Sequence, residues 1–105
     1  MEDKNCSDLV ELGLSPTEAQ VYLVLVQTHA VSASAIATAT GLSRTAVYQI
    51  LCSLTDRGLI ESGAGYGSKF VALPPEQALP TMVARDDEIL THRKEIAATL
   101  SQRLA

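Results

Sequence analysis

Apolar residues recur with helical spacing along most of the chain, and short polar or glycine-containing stretches separate the periodic segments. The clearest case lies between residues 43 and 57, where Val47, Ile50, Leu51 and Leu54 recur at i, i+3, i+4 and i+7. This spacing places all four on one face of a helix and leaves the polar residues on the other. The pattern therefore predicts an amphipathic helix with one buried and one exposed face.

A capping box predicts a second helix earlier in the chain. Ser15 can cap it, Pro16 suits its first position, and Glu18 follows the cap by three residues. The apolar run Val21–Val26 would also suit a buried strand, but the capping box and the length favour a helix to about His29. We expect this helix to be buried on two sides, the first carrying Ala19, Tyr22, Leu23 and Val26 and the second Val21, Val24 and Leu25.

Two further short elements precede the amphipathic helix. Ser7–Gly13 is expected to form one or two helical turns, with Ser7 as a possible cap. Ser32 can cap a helix over residues 33–40, which Gly41 ends, and Ser43 can cap the amphipathic helix that follows. A short helix, a glycine turn and a second capped helix are thus expected in that order.

A β-hairpin is predicted directly after this pair of helices. Its strands are Leu59–Ser62 and Ser68–Ala72, and glycines at positions 63, 65 and 67 suit the connection between them. Helix, turn, helix and hairpin together are the layout of a winged helix-turn-helix. The sequence therefore predicts a mainly α fold with a small β-hairpin, and it indicates double-stranded DNA as the ligand.

The last third of the chain predicts a long helix with an imperfect heptad repeat. Pro80 is expected to kink or restart this helix. Beyond it, apolar pairs recur at seven residues, while Asp86 and Arg93 interrupt the alternate core positions. This pattern favours a coiled-coil-like dimerisation helix over residues 74–105. We expect this helix to belong to the same single domain as the winged helix-turn-helix of residues 1–73. The alternative is a helix that packs only on its own protomer. The candidate dimer residues are Val21, Val24, Leu25, Met82, Val83, Ile89, Leu90, Ile96, Leu100 and Leu104.

The net charge of the chain counts against strong DNA binding. The chain carries a net charge of −4, which is unusual for a strong nucleic-acid binder. The segment 31–73 holds three basic and two acidic side chains, whereas residues 1–30 and 74–105 are both negative. The predicted reading module is therefore the only positive segment, and only weakly so.

Particular residues of this module have side chains suited to DNA. Arg44 can make a bidentate contact to guanine and Gln49 to adenine, while Ser43 and Thr45 can hold a phosphate at the helix N-terminus. Tyr48 is left open between DNA and packing on the preceding helix. The full set of candidate DNA-binding residues is Ser34, Ser43, Arg44, Thr45, Tyr48, Gln49, Tyr66, Ser68 and Lys69.

Other classes of function find little support in the sequence. It has no nucleophile–base pair that suggests an enzyme, and we expect no metal and no cofactor. Cys6 and Cys52 are interpreted as two reduced thiols, with a redox switch as the alternative. Neither a signal peptide nor a stretch long enough to span a membrane is apparent, so a cytoplasmic location and no membrane partner are expected.

Several segments together resemble the N-terminal domain of TrmB-family transcription regulators. They are Leu12–Tyr22, Ser34–Ala37, Gly41–Leu51, Leu54–Ile60, Phe70–Ala72 and Pro74–Leu79. The resemblance implies a winged helix that binds DNA. Members of the family carry a C-terminal effector-binding domain, often for sugars, which this sequence does not include, so the small-molecule effector is unknown. Their wing also tends to be more basic.

Two functions follow as hypotheses. The first is a homodimeric, sequence-specific transcription regulator that places residues 43–57 in the major groove and the wing, residues 59–72, on the backbone or in the minor groove. The alternative is a winged helix used as a protein–protein interaction module, with weak or no DNA binding. The negative net charge of the chain motivates this alternative.

Overall fold

The fold is taken from a computed structural model, which describes residues 2–62 and 69–105. It is a winged helix-turn-helix with a long C-terminal helix, as the sequence predicts. Its elements in chain order are α1 (Glu2–Glu11), α2 (Pro16–Gln27), β1 (Val31–Ser32), α3 (Ala33–Thr40), α4 (Arg44–Asp56), β2 (Ile60–Ser62), β3 (Lys69–Ala72) and α5 (Pro75–Leu104).

The predicted caps are present at the starts of the three central helices. The capping box of α2 is complete, since the Ser15 N–H donates to Glu18 Oε1 at 2.8 Å and the Glu18 N–H donates to Ser15 Oγ at 3.1 Å. Ser32 and Ser43 cap α3 and α4 in the same way, each hydroxyl accepting from the backbone N–H three residues later. Gly41 ends α3 in the left-handed region with φ of 78°, which glycine adopts without the steric cost of a side chain.

Three expectations are corrected. The helix α1 begins at Glu2, so Ser7 lies inside it rather than at its cap, and α2 ends at Gln27 rather than at His29. The helix α5 runs without a break through Pro80. Proline leaves the carbonyl of Glu76 without its helical donor, but both residues are exposed, so solvent can reach that carbonyl and the helix tolerates the proline.

A third strand joins the wing. The small sheet has the order β1-β3-β2 with both pairs antiparallel. The short strand β1, which the sequence analysis did not predict, pairs Val31 with Phe70 and Ser32 with Lys69. Because Ser32 is also the cap of α3, this pairing fixes the start of α3 against the wing.

One apolar core joins the elements. The buried side chains of α4 are Val47, Leu51 and Leu54, the face that the sequence predicted. They pack with buried residues of the other elements: Leu9, Leu14, Ala19, Val21, Tyr22, Leu25, Ala33, Ile36, Leu59, Ile60, Ala78 and Met82. From Val83 to its end α5 is exposed throughout, and the molecule measures 53 Å along its longest axis. None of the helices in the described part of the chain has the length and apolarity needed to cross a membrane.

Candidate nucleic-acid interface

The exposed face of α4 carries most of the candidate DNA-binding residues. Val47, Leu51 and Leu54 turn the opposite face into the core, each at most 2% exposed. A continuous stripe therefore faces solvent along the whole helix, made of Arg44, Thr45, Tyr48, Gln49, Cys52, Thr55 and Asp56. Its N-terminal part holds Arg44, and its C-terminal end holds Asp56, so the N-terminal half is the end suited to a polyanion.

Ser43 caps the N-terminus of α4 and can still donate its hydroxyl proton. Its Oγ accepts the N–H of Ala46 at 3.1 Å, and a hydroxyl that accepts can still donate its own proton. The N–H groups of Arg44 and Thr45 lie in the first turn, where a helix has no internal acceptor for them. The expected phosphate site at this end is thus compatible with the cap.

The turn between α3 and α4 is fixed by Thr40. Its hydroxyl donates to the carbonyl of Ile36 at 2.8 Å and accepts the N–H of Leu42 at 3.3 Å. With Gly41 in the left-handed conformation, these bonds set the direction in which α4 begins. Ser34 is exposed near the start of α3, as expected for a residue that approaches the DNA backbone.

Lys69 is the candidate DNA-binding residue of the wing that lies within the described part of the chain. Lys69 is exposed at the start of β3 and pairs in register with Ser32. Tyr66 and Ser68, together with the glycines of the connection, lie outside the described residues.

Tyr48 and Gln49 lie beside different grooves. Tyr48 is 46% exposed and faces the wing, where it lines a groove with Ser62 and Phe70. Gln49 lies on the other side of the stripe and lines a groove of about 640 Å³ between α4 and α5, whose far wall includes Ile89.

Arg57 is held by contacts within the protein. Its Nη2 donates to the carbonyl of Gly13 at 3.2 Å and lies 3.9 Å from Glu18 Oε1, and its Nη1 lies 3.9 Å from the sulfur of Met82. This arginine is one of the three basic side chains of segment 31–73 and was not among the candidate DNA-binding residues. The structure places it where α1, α2, α4 and α5 meet, which leaves Arg44 and Lys69 as the exposed cations among the described residues of that segment.

Glu18 is the carboxylate at this junction. Burial favours its neutral form and would raise its pKa, but hydrogen bonds from the Ser53 hydroxyl and the Ser15 N–H, together with Arg57, lower the pKa below its ordinary value. The sequence predicted the bond to Ser15 because it is local. The bond to Ser53 joins residues far apart in the chain, and no sequence pattern indicates it.

The candidate dimer residues separate into two groups. Val21, Leu25 and Met82 are at most 2% exposed and belong to the core, so we remove them from the candidate surface, and Val24 is half-buried. The others lie on α5 and are between 39% and 77% exposed: Val83, Ile89, Leu90, Ile96, Leu100 and Leu104.

The remaining chemistry is sparse in the part of the chain that the structure describes. Cys6 is half-buried and Cys52 exposed, and both are free thiols. Within residues 2–62 and 69–105 no three His, Cys, Asp or Glu side chains are grouped so as to hold a metal ion.

Comparison with known families decides between classes of function. The sequence model described as "Sugar-specific transcriptional regulator TrmB" matches residues 9–76. The chain belongs to the TrmB family. This is a family of transcription regulators and not of enzymes, in agreement with the sequence analysis. Among curated proteins, none matches the chain significantly.

Solved structures share the fold of this TrmB-family chain. The archaeal chromatin protein TrmBL2, whose structure is described as showing a novel mode of DNA binding, superposes with a TM-score of 0.81 at 21% identity. That match covers 99% of this chain but 40% of TrmBL2, so the chain spans less than half the length of that protein. At such identities the likeness establishes the fold alone.

Two more distant structures show how the same fold is used elsewhere. A MarR-family protein of Mycobacterium tuberculosis, solved in complex with DNA, matches with a TM-score of 0.59 at 18% identity, over 98% of this chain and 87% of its own. The activation domain of the phage T4 transcription factor MotA matches with a TM-score of 0.59 at 15% identity, over 92% and 95%.

Proposed function

We propose that this TrmB-family chain is a sequence-specific DNA-binding regulator that acts as a homodimer. In this proposal α4 enters the major groove, and the wing, residues 59–72, contacts the backbone or the minor groove. The observation that carries it is the exposed face of α4, which presents Arg44, Thr45, Tyr48 and Gln49 together at the N-terminal half of the helix. A TrmB-family sequence on a winged-helix fold supports the same conclusion.

The spacing of Arg44 and Gln49 suits bases about two steps apart. Arg44 and Gln49 are five residues apart, or about 7.5 Å along a helix. Base pairs are stacked at intervals of about 3.4 Å, so the two side chains reach over about two steps. Arg44 can bind the O6 and N7 of guanine, and Gln49 the N6 and N7 of adenine.

The small number of cations favours a dimer. Arg44 and Lys69 give each protomer two exposed positive charges near the reading helix, which provides little affinity for a polyanion by itself. A dimer doubles these contacts and joins two half-sites. We infer a pseudo-palindromic site with half-sites about one turn of DNA, or about 34 Å, apart.

The exposed apolar face of α5 supports self-association. Residues 83–105 are exposed, although most of the stability of a helix in a protein comes from the packing of an amphipathic face. Its apolar side chains include Ile89, Leu90 and Ile96, each 44% to 49% exposed. Such a stripe is typical of a surface that a partner covers.

Gel-shift titration tests the proposal. The chain is titrated against genomic fragments at about 50 mM and about 200 mM salt, and we expect retention of a subset of fragments that weakens with salt. Arg44→Ala should lose this selectivity. Lys4→Ala is the matched control, because it removes the same charge from a side chain that is 82% exposed on α1, and it should bind like the wild type. Retention of no fragment at either salt concentration would contradict the DNA function.

A protein–protein interaction module is the second candidate. It is favoured by the net charge of −4 and by the use of this fold as an activation domain in the phage T4 protein. The same titration distinguishes the two functions, because only a DNA reader shows salt-dependent retention of particular fragments and loses that selectivity in Arg44→Ala.

A further inference from the structure

The apolar stripe of α5 continues onto the body of the protomer. Where α5 passes the end of α1, Leu12 and Leu79 form the wall of a groove of about 630 Å³ whose exposed surface is mostly apolar. Val83 lines the same groove and is 43% exposed. Further exposed apolar side chains, among them Leu90, Leu100 and Leu104, follow this groove along the free half of α5.

An imperfect heptad repeat runs along this face of α5. Positions 79, 86, 93 and 100 alternate with positions 83, 90, 97 and 104, at intervals of four and three residues. A repeat of 3.5 residues marks the seam along which two helices supercoil. Six of these eight positions are apolar, and the two exceptions, Asp86 and Arg93, lie on either side of the middle.

The two charges discriminate between the possible directions of a partner helix. A parallel pair in register places Asp86 beside Asp86 and Arg93 beside Arg93, so that both contacts repel. An antiparallel pair centred on Ile89 and Leu90 places Asp86 opposite Arg93 of the second copy. The two-fold symmetry repeats this favourable contact at the other end of the seam.

We propose that two copies of this chain pair through antiparallel α5 helices centred on Ile89 and Leu90. The proposal deepens the homodimer of the previous subsection and rests on it. In this register Leu79 lies opposite Leu100 of the second copy, and Val83 lies within one residue of the level of its Ala97. The C-terminal part of each α5 therefore covers the groove at Leu12 of the other protomer.

The same register also separates the two winged helix-turn-helix units, residues 1–73 of each protomer. Each unit packs on α5 as far as Met82, the last buried residue of the helix. Two such points are separated by about 23 Å along an antiparallel seam, at about 1.5 Å per residue, whereas a parallel pair holds them at the same height.

Distance measurement between spin labels tests the direction. In the full chain with Cys6→Ser and Cys52→Ser, a label at Gln102→Cys lies on the side of α5 away from the seam. We expect a label separation of about 40 Å for the antiparallel pair and about 20 Å for a parallel one, from the helix rise and diameter. Thr91→Cys is the matched control, because it lies near the proposed centre and gives about 20 Å in both cases.

The outcomes of this measurement distinguish the antiparallel register from the homodimer itself. A distance near 40 Å at position 102 with a short distance at 91 supports the antiparallel pair. Short distances at both positions overturn the antiparallel register while the homodimer stands. Absence of dipolar coupling, together with a monomeric mass by light scattering, overturns the homodimer and the register with it.

A charge exchange tests the register without new cysteines. Asp86→Arg or Arg93→Asp alone places like charges together at two symmetric contacts, and we expect the dimer dissociation constant to rise about tenfold. The double exchange restores opposite charges in the antiparallel register and should return the constant to near the wild-type value. Single exchanges without effect, or a double exchange that fails to restore association, would overturn the register.

Discussion

Glu18 on α2 accepts a hydrogen bond from the hydroxyl of Ser53 on α4, 35 residues further along the chain. The same carboxylate closes the capping box with Ser15 and lies 3.9 Å from Arg57. The carboxylate that closes the capping box of α2 therefore also bonds to α4, the helix that carries the reading face. Helix initiation and the orientation of α4 depend on one charged group.

Replacement of Glu18 should cost stability. Glu18→Gln keeps the shape of the side chain but removes the charge that attracts the Ser15 N–H, Ser53 and Arg57. We expect the free energy of unfolding to fall by about 1–2 kcal/mol, the range of a helix cap and a charged hydrogen bond. Urea denaturation measures this, with Glu11→Gln on the exposed side of α1 as the control. Equal losses in the two variants would show that the junction contributes nothing.

The lowered pKa of Glu18 also predicts a pH dependence. Its ordinary pKa is 4.5 and its pKa in the folded state is lower, so the unfolded chain binds the proton more readily. The stabilisation is therefore complete above about pH 4.5 and is lost as the pH falls through the folded-state pKa. The difference in unfolding free energy between wild type and Glu18→Gln should shrink between about pH 7 and about pH 3; a difference independent of pH would be the contrary result.

The turn before α4 predicts a backbone effect. A Cβ at Gly41 would meet nothing within 4 Å, but φ is 78°, so any cost of Gly41→Ala arises from the backbone conformation alone. We expect a loss of about 1 kcal/mol for Gly41→Ala and a smaller loss for Gly41→Asn, since asparagine tolerates this region better. Thermal denaturation of both variants checks the order, and a wild-type midpoint for Gly41→Ala would contradict it.

Two neighbouring residues of α5 should respond differently to truncation. Met82 is 2% exposed and Val83 is 43% exposed. Met82→Ala should lower the unfolding free energy of the protomer by about 2–3 kcal/mol through a cavity in the core. Val83→Ala should leave protomer stability within about 0.5 kcal/mol and weaken self-association instead. Urea denaturation of dilute protein and sedimentation equilibrium separate the two effects, and similar protomer losses would refute the assignment.

Local signals in the sequence predicted much of the fold. Ser15, Ser32 and Ser43 were identified as caps because each bond is made within three residues of the cap, and Gly41 was identified as a stop for the same reason. The exposed face of α4 was predicted because its apolar residues occupy a single stripe. The candidates at the N-terminal half of α4 follow from that periodicity.

Tertiary contacts explain what the sequence did not predict. The strand β1 has two residues and exists through pairing with β3, which no local pattern specifies. In the apolar run of α2 the spacing alone does not choose the buried face, so Val21 and Leu25 were assigned to a dimer surface although they lie in the core. Pro80 was expected to kink or restart α5; the helix does not restart there, because an exposed position accommodates the proline.

The salt dependence of DNA binding tests the central claim most directly. A duplex selected from a random pool is titrated by fluorescence anisotropy over a range of salt concentrations. Arg44 and Lys69 from each protomer bring four positive charges to the DNA, and each charge displaces about one counterion, so we predict a slope of log K against log salt of about −3.6 for the wild type and about −1.8 for Arg44→Ala. Selection of no duplex, or equal slopes for the two proteins, would contradict a dimer that reads DNA through α4.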